Sequence, residues 1–477
     1  MPGLFDSLSL ATRAMQAQQA GVSVTGQNLA NVNNPAYSRQ RINFQTSDPV
    51  PLVGGIQGTG VQVAGIQQIR DSLLDGQIRD EGSVGGFWTA TQNALENTQA
   101  ELGQFLDGAA ASADGTSSST SSTAAQGLST QINNLFSGFQ AVAADPTSLS
   151  QRQVLVSQAQ SLAGSFNQIS SRLTTVNQNL NTSVSTDVDS ANKLLSDIAS
   201  LNDDITKTEA ATGSTANDLR DLRQQKIESL GNLTNLQTST AADGSLTVTI
   251  GGVAMVSGSK IQDTLQAYDA GGGQLQVRAA TAGTALALTG GSIAGAIDTR
   301  DGALASLRTG LDSLASQIIG KVNSVYSTGY DLNGNTGANF FTGTNAATIS
   351  VNPNLSADPS QVQAAGVAGS AGDNAVALSL AQLAQQTDAA LGNQTFGGAY
   401  GQMVTNLGNS LSNANDQVAN HDSVSTMLAK QRDSISGVSM EEELTNLMTF
   451  QKAYQASAQI VSTVNLMLQT LVNMKST

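Results

Sequence analysis

The stretch that decides the fold lies at residues 439–474 and reads SMEEELTNLMTFQKAYQASAQIVSTVNLMLQTLVNM. Ten positions in it follow one another at strict spacings of four and three, and eight of them are apolar, which is typical of a coiled-coil seam. The seam consists of Met440, Leu444, Leu447, Gln451, Tyr454, Ala458, Val461, Asn465, Leu468 and Val472. A second row runs beside it: Phe450, Ala453, Ser457, Ile460, Val464, Met467, Leu471 and Met474. One neighbour cannot cover both rows, so this pattern predicts a long helix with several partners, although an internal helix of a large bundle would show it too.

The start of this helix is well marked. Ser439 and Glu442 have the spacing of a capping box, and three consecutive glutamates lie where the positive end of the helix dipole favours them. Lys452 is the only charged residue between Glu443 and Lys475. At about 1.5 Å per residue this helix would be roughly 50 Å long and would project from a compact body.

The N-terminal end mirrors this arrangement. Ten positions again step by three and four, with eight of them apolar: Met1, Leu4, Leu8, Ala11, Met15, Gln18, Val22, Thr25, Leu29 and Val32. Pro35 ends the helix by restraining Asn34. We therefore predict that the two ends pair, that the rest of the chain forms an excursion between them, and that both ends are mobile in the monomer and ordered in an assembly.

Four polar residues interrupt the two seams, namely Gln18, Thr25, Gln451 and Asn465. Buried polar residues in a coiled coil set register and partner choice at some cost in stability. Alternatively, local unwinding lets these side chains face solvent.

Between the ends the periodicity is mainly helical. Helices are predicted at 71–106, 128–143, 152–211, 301–330 and 375–432, an extended segment at 37–63, and a flexible Ser, Thr and Ala tract at 109–125. The period changes to that of strands around Leu246, Val248 and Ile250, where Gly251 and Gly252 predict a two-residue hairpin turn.

The fold class predicted from these patterns is mainly α with a β insertion. It comprises terminal coiled-coil helices that pair the N- and C-termini, a helical bundle domain and a small outer β domain. The predicted division is a terminal polymerisation domain (1–40 and 435–477), a mainly helical rod domain (41–230 and 300–434) and a small β domain (231–299).

Composition narrows the function. Charged residues make up only 12% of the 477, and the net charge is −15, which argues against nucleic acid or an anionic membrane as a partner. The chain has no cysteine, and its first residues lack the pattern of a cleaved secretory signal. Export, if it occurs, is expected to use another route.

No catalytic cluster stands out. Asp331, Asn333 and Asn335 begin like a calcium loop, but Thr336 and Thr342 occupy the positions that need Gly and Glu, so a polar turn is predicted. His421 is the only histidine, and we expect it to be solvated or to cap a neighbouring group. We expect no catalytic residue, no cofactor and no metal.

Several motifs carry a resemblance to a known family. The sequence ANVNNPAYSRQ at 30–40 resembles the N-terminal signature of bacterial flagellar axial proteins, a family of rod, hook and hook-associated subunits. GVSMEEE at 437–443 and FQKAYQASA at 450–458 are similar to the other end of the same family. Three stretches in the middle favour its hook-associated members: DLRDLR at 218–223, GAIDTRD at 295–301, and LDSLA at 311–315 continuing to GYDLNG at 329–334 and Phe340-Phe341.

The resemblance implies a non-enzymatic adaptor between hook and filament, located in the extracellular flagellum and exported through the flagellar secretion apparatus. It implies assembly with copies of itself, contacts with hook protein and neighbouring hook-associated proteins, and an export chaperone that binds the C-terminal helix. The predicted polymerisation interface comprises Leu4, Leu8, Met15, Val22, Leu29, Asn31, Tyr37, Leu444, Leu447, Phe450, Gln451, Tyr454, Ile460, Val461, Val464, Leu468 and Leu471.

Two alternatives remain, a rod or hook subunit and an exported enzyme carried on axial ends. The chain also departs from the family in two respects. Ala36 stands where the family usually has glycine, and would be strained if that site needs a positive φ. The chain is short for the family, which suggests a reduced outer domain.

Overall fold

The computed structural model describes residues 3–52, 55–103 and 127–475. In these ranges there are eleven α-helices: α1 (Leu4–Ala30), α2 (Ser72–Leu102), α3 (Leu128–Ala144), α4 (Leu149–Thr212), α5 (Asn217–Leu233), α6 (Gly291–Thr299), α7 (Ala305–Tyr326), α8 (Pro353–Ala357), α9 (Ala375–Gln382), α10 (Phe396–Ser436) and α11 (Met440–Lys475). The tract at 109–125, predicted to be a flexible loop, lies outside the described residues.

The two end helices pair, as the sequence predicts. The 27-residue α1 and the 36-residue α11 lie side by side and antiparallel. Asn28, near the end of α1, binds Glu443 near the start of α11, and Gly21 lies against Phe450. Leu4, at the other end of α1, lines a shallow hollow together with Met467. We call α1 and α11 the terminal pair.

Twelve short strands accompany the helices in the described ranges: β1 (Gln40–Thr46), β2 (Val50–Leu52), β3 (Gly55–Gln57), β4 (Val61–Gln68), β5 (Gln237–Thr240), β6 (Leu246–Ile250), β7 (Val253–Ser257), β8 (Lys260–Ile261), β9 (Leu265–Asp269), β10 (Leu275–Ala279), β11 (Phe341–Thr342) and β12 (Ser350–Val351). All described pairings are antiparallel. β1 and β4 form a hairpin arm that contacts α1, and a register shift between Asn43 and Phe44 bends it.

The body of the molecule is built on α4, a single helix of 64 residues. The hydroxyl of Ser148 caps its first turn, and Gly213 ends it in the left-handed conformation with φ 66°. α3 packs against its first part around the buried rings of Phe139 and Phe166. The predicted helices at 128–143 and 152–211 are confirmed as α3 and α4, and the described part of the one predicted at 71–106 is confirmed as α2, while residues 104–106 lie outside the described residues.

The outer β region forms two separate sheets. β5 to β8 make a four-stranded meander, and β9 pairs with β10. The predicted turn is confirmed, since Ile250 pairs with Val253 and both Gly251 and Gly252 have positive φ. Segment 231–299 holds these six strands, the last residues of α5 and the whole of α6.

Two helix boundaries differ from the predictions. The helix expected to begin at Asp301 begins at Gly291, because α6 runs through a π-helical turn at Arg300–Leu304 into α7. Gly295 lets α6 lie against the backbone of α2, where a Cβ would come within 2.3 Å of the carbonyl oxygen of Phe87. The absence of a side chain at Gly295 therefore permits close packing of the two helices.

The helix expected at 375–432 is interrupted. α9 ends at Gln382, and the chain passes through 3-10 turns at Leu383–Gln385 and Ala389–Leu391 before α10 begins. The Asp388 carboxylate accepts from the backbone of Ala390, a local bond that competes with helix continuation.

Candidate assembly surface and the joint that carries it

The terminal pair packs through small residues on one side and large residues on the other. Along α1 the fully buried positions are Ala11, Ala17, Gly21, Val24, Thr25 and Asn28. Along α11 they are Glu443, Ser457 and Val464, and the half-buried Phe450 lies midway between the first two, so that the four residues are spaced by seven. The Phe450 ring occupies the space that a side chain at Gly21 would need. The helices therefore approach closely where glycine and alanine line α1.

The two predicted seams do not face each other throughout. Val464 is buried, and ten further predicted interface residues of the pair are half-buried: Leu4, Leu8, Met15, Val22, Leu29, Leu447, Phe450, Tyr454, Val461 and Leu468. Leu444, Gln451, Ile460 and Leu471 are exposed. The covered side of α11 therefore draws on both rows: Leu447, Tyr454, Val461 and Leu468 come from the seam, and Phe450, Ser457 and Val464 come from the second row. Spacing alone could not show which members of the two rows would be covered.

The four polar residues of the predicted seams differ in burial. Gln451 and Asn465 are exposed in the single chain, and Gln18 is half-buried. Thr25 is buried, and its hydroxyl donates to the Gly21 carbonyl one turn earlier in the same helix. That these residues set register between copies stays a prediction.

Apolar side chains remain in solvent along much of α11. They are Met440, Leu444, Met448, Ile460, Leu466, Met467, Leu471 and Val472. Leu466 is 63% exposed and Val472 is 67% exposed, and on α1 Phe5 is 72% exposed. A soluble monomer rarely leaves so many large apolar residues on one element. This surface of α11, together with the first turn of α1, is the candidate assembly surface.

A polar network anchors the terminal pair to the body. We call it the joint, and it comprises residues 27–40, 217–221 and 436–443 together with Arg70. Its centre is the buried amide of Asn28, whose Nδ2 donates to a carboxylate oxygen of Glu443 at 3.1 Å. The Oδ1 of Asn28 accepts from the hydroxyl of Tyr37 at 2.8 Å. The start of α11 is thereby tied to the end of α1.

Arg39 completes this tie. Its Nε donates to Glu443 at 2.8 Å and its Nη1 to Glu442 at 2.7 Å, while its backbone nitrogen donates to the carbonyl of Ser436. The Ser439 hydroxyl accepts from the Glu442 backbone at 3.5 Å, so one half of the predicted capping box is present. The Glu442 side chain instead extends to Arg39. Two of the three glutamates at this helix start, Glu442 and Glu443, therefore do more than complement the helix dipole.

The first turn of α5 supplies the opposite wall of the joint. Asp221 accepts from the backbone nitrogen of Ser38 at 3.0 Å and from Arg70 at 3.0 Å. Asp218 accepts from Gln27 of α1 and Gln40 of β1. Burial raises the pKa of the Asp221 carboxyl, although its hydrogen bond from Ser38 and the Arg70 charge oppose that shift. Burial, followed by the nearby carboxylates, likewise raises the pKa of the Tyr37 phenol.

The same short helix also connects to the outer β region. Arg220 binds Glu209 at the end of α4 through two hydrogen bonds of 2.8 and 2.9 Å, and this contact lowers the pKa of the Glu209 carboxyl. Arg223 donates to Asn202 and to the carbonyl of Gly244 in the turn before β6. Burial lowers the pKa of the Arg223 guanidinium. α5 therefore contacts the terminal pair, α4 and the outer β region.

The remaining singled-out residues lie apart from the joint. Asp331 closes a turn by accepting from the backbone nitrogens of Asn333 and Asn335, each at 2.8 Å. His421 of α10 lies 2.7 Å from a carboxylate oxygen of Glu81 on α2. Within residues 3–52, 55–103 and 127–475, no group of three or more His, Cys, Asp or Glu side chains could hold a metal ion. No helix of those ranges has an apolar stretch sufficient to cross a membrane.

Comparisons with known proteins agree with this architecture. Residues 114–341 match the family described as "Flagellar hook-associated protein FlgK helical domain", and residues 429–474 match "Flagellar basal body rod FlgEFG protein C-terminal". Flagellar hook-associated protein 1 of Bacillus subtilis is 27% identical to this chain, and the alignment covers 99% of each. The chain is similar to flagellar hook-associated protein 1 along almost its whole length. Members of this family are structural proteins of the bacterial flagellum at the hook–filament junction.

Two further relatives are more distant in sequence. Flagellar hook-associated protein 1 of Escherichia coli is 23% identical and that of Salmonella typhimurium 24% identical, each alignment covering 98% of this chain and 99% of the relative. The alignments span 559 and 572 positions against 477 residues here, so these relatives carry residues that this chain lacks. The solved structure of the flagellar hook junction protein FlgK from Burkholderia pseudomallei matches with a TM-score of 0.62 at 17% identity. The match covers 76% of this chain and all of that one, and it supports the fold.

The motifs that resemble the flagellar axial family coincide with the joint. The 30–40 motif supplies Tyr37 and Arg39, the 437–443 motif supplies Glu443, and the 218–223 motif supplies both of its aspartates. Ala36 is not strained, because Asn393 is the only residue other than glycine with positive φ in the described ranges. Sequence reasoning placed Asn31 and Tyr37 in an assembly interface, whereas both are half-buried at the joint. It missed Asn28, whose only signal was a polar residue on the apolar side of α1.

Proposed function

We propose that this chain is the adaptor between hook and filament, and that it joins further copies of itself through the candidate assembly surface. The observation that carries the proposal is the set of apolar side chains on α11 that α1 leaves uncovered. Covering such residues gains roughly 25 cal/mol for each Å² removed from water. Neighbouring subunits in a ring or helical assembly would supply that cover.

The proposed contact of each predicted interface residue follows from its exposure. Leu444, Gln451, Ile460 and Leu471 are exposed and are proposed to contact a second copy. The half-buried and buried members of the predicted interface hold α1 and α11 together. Asn31 and Tyr37 are proposed to set the angle at which the pair leaves the body. Segments 1–40 and 435–477 are the proposed polymerisation domain, with 41–230 and 300–434 as the rod and 231–299 as the outer β domain.

The proposed partners are copies of this chain, hook protein on one side and neighbouring hook-associated proteins on the other. An export chaperone that covers the C-terminal helix would keep its apolar surface from premature association. We propose export through the flagellar secretion apparatus without a cleaved signal peptide, which places the protein in the extracellular flagellum. The chain is proposed to act without catalysis, and an assay for hydrolysis of cell-wall material tests that statement directly.

Complementation tests the adaptor function. A strain that lacks its own copy of the gene would receive the double variant Leu466→Gln and Leu471→Gln, or the control Val367→Gln. Val367 is 60% exposed but lies in a loop away from the terminal pair. The double variant should yield hooks without attached filaments and release filament protein into the medium, whereas the control should swim. Attached filaments at the normal number in a secreted double variant would contradict the proposal.

Removing residues 444–474 gives a coarser version of the same test. A junction protein without them should leave hooks intact and filaments detached. A rod or hook subunit would instead fail before complete hooks form, so electron microscopy of hooks separates this alternative from the adaptor.

A further inference from the structure

Five asparagines on helices bind the first residue of a strand. In four of them the side-chain amide pairs with both backbone groups of that residue: Nδ2 donates to its carbonyl and Oδ1 accepts from its N–H. The four pairs are Asn28 with Gln40, Asn192 with Leu265, Asn202 with Leu246 and Asn323 with Phe341. The eight distances range from 2.8 to 3.1 Å. These partners begin β1, β9, β6 and β11.

Asn181 is the fifth and differs in one bond. Its Oδ1 accepts from the N–H of Leu275, the first residue of β10, while its Nδ2 donates to the carbonyl of Gly273 two residues earlier. The buried guanidinium of Arg300 also donates to Asn181 and to the carbonyl of Leu275. The start of β10 is thereby held by two side chains.

A side-chain amide can do this because it carries the same donor and acceptor as a peptide group. The N–H and C=O of one strand residue point to the same side, so an amide at that edge takes the place of a neighbouring strand. The contact is directional: a shift of the strand by one residue would break both bonds and turn its side chains over. Each pair therefore defines where a strand starts relative to a helix.

Three of the five lie on α4 and hold two separate sheets. Asn181, Asn192 and Asn202 are 11 and 10 residues apart, which is close to three helical turns and about 15 Å for each step. They hold β10, β9 and β6 in that order along the helix. Asn202 is fully buried and also donates to the carbonyl of Gly258 at the turn after β7.

Apolar contact alone would not hold the sheets in one place. α4 presents buried Val188, Leu195 and Ile198 along this length. Burial of such residues is favourable but non-directional, so it tolerates sliding and rotation. The amides supply the direction that apolar packing lacks.

We propose that Asn181, Asn192 and Asn202 are positioning residues that dock the two sheets on α4 in one orientation, so that the outer β region moves as one body with the rod. This inference goes beyond the adaptor function and does not depend on it. An outer β region held in this way keeps its orientation when α4 rotates.

The test measures orientation rather than stability alone. The chain has no cysteine, so Ser190→Cys on α4 and Ala270→Cys after β9 give a clean pair of spin-label sites, both exposed. With Asn192 intact the label-to-label distance should have one narrow distribution. Asn192→Leu should at least double its width and speed amide exchange of Leu265 about tenfold. The control Asn179→Leu, at an exposed position of the same helix, should change neither quantity.

A second variant separates positioning from loss of a fold. Asn192→Asp at about pH 8 keeps the acceptor for the Leu265 N–H but places a carboxylate against the Leu265 carbonyl, so the distribution should broaden. At about pH 4 a protonated carboxyl regains a donor beside its acceptor, and the width should return to that of the unchanged chain. Asn179→Asp controls for other effects of acid.

Two results would overturn the proposal. One is an unchanged distance distribution in folded Asn192→Leu, which would show that apolar contact fixes the orientation. The other, decisive if Asn192→Leu fails to fold, is a width in Asn192→Asp that does not respond to pH. Both are independent of the filament-attachment assay, so either proposal can fail without the other.

Discussion

Phe450 of α11 lies over Gly21 of α1, and a Cβ at position 21 would be 2.9 Å from its ring. Gly21→Ala should therefore weaken the terminal pair, because overpacking typically costs about 1 to 3 kcal/mol and the better helix propensity of alanine returns about 1 kcal/mol. Amide exchange of α1 and α11 would measure the loss as faster opening of both helices. Phe450→Leu in the same chain should restore part of the protection.

Gly26 provides the matched control for this change. It lies in α1, is exposed and has no atom within 4 Å of an added Cβ. Gly26→Ala should slow exchange in α1 through propensity alone, by up to about 1 kcal/mol. Equal effects of the two substitutions would show that the close approach at Phe450 is unimportant.

Two adjacent glutamates at the joint should respond very differently to loss of charge. Glu443 is 2% exposed and is bound by Asn28 and Arg39, whereas the Glu442 side chain is 62% exposed and is bound by Arg39. Breaking a buried pair costs about 3 to 5 kcal/mol and an exposed one at most about 1 kcal/mol. Glu443→Gln should therefore loosen the start of α11 from Asn28 and Arg39, measured as faster exchange at the start of α11. Similar values for Glu443→Gln and Glu442→Gln would contradict a buried anchor.

Acid should loosen the contact between α5 and the end of α4. The hydrogen bonds from Arg220 lower the pKa of Glu209 in the folded chain, so the unfolded chain binds a proton first as pH falls. The stabilisation is complete above the ordinary Glu pKa of about 4.3 and is lost as pH falls through the lowered folded value. Chemical unfolding followed between about pH 6 and pH 3 would measure this slope. Glu209→Gln should reduce the slope, and an unchanged profile in that variant would argue against the contribution.

The terminal pair should be less protected in a dilute monomer than in an assembly. Its helices leave Leu466, Val472 and Phe5 in solvent, so much of the apolar burial that could stabilise them is absent from the single chain. Hydrogen exchange of α1 and α11 should slow by an order of magnitude or more when copies associate, with α4 as the internal control. Full protection of both helices in the monomer would be inconsistent with this expectation.

Local sequence pattern was sufficient to predict most helices and strands and some of the turns between them. The seams of α1 and α11, the Gly251-Gly252 turn and the alternation of Leu246, Val248 and Ile250 each depend on neighbours within a few residues. It also sufficed for the pairing of the two ends, because both carried apolar surface that needed a partner. It failed at the break before α10. There the backbone N–H of Ala390 donates a hydrogen bond to the Asp388 carboxylate, which competes with continuation of the helix.

The sequence by itself determined that this protein has long helical ends with excess apolar surface, a helical body and a β insertion, because period and turn chemistry are short-range properties. Only the tertiary structure decided which residues of α11 are covered, since the members of two rows of equal spacing are indistinguishable until a partner such as Gly21 is placed. It also decided that Asn28 meets Glu443 across 415 residues of chain, and that asparagines on α4 take up the starts of strands. Such contacts are set by the packing of distant segments, and no local spacing encodes them.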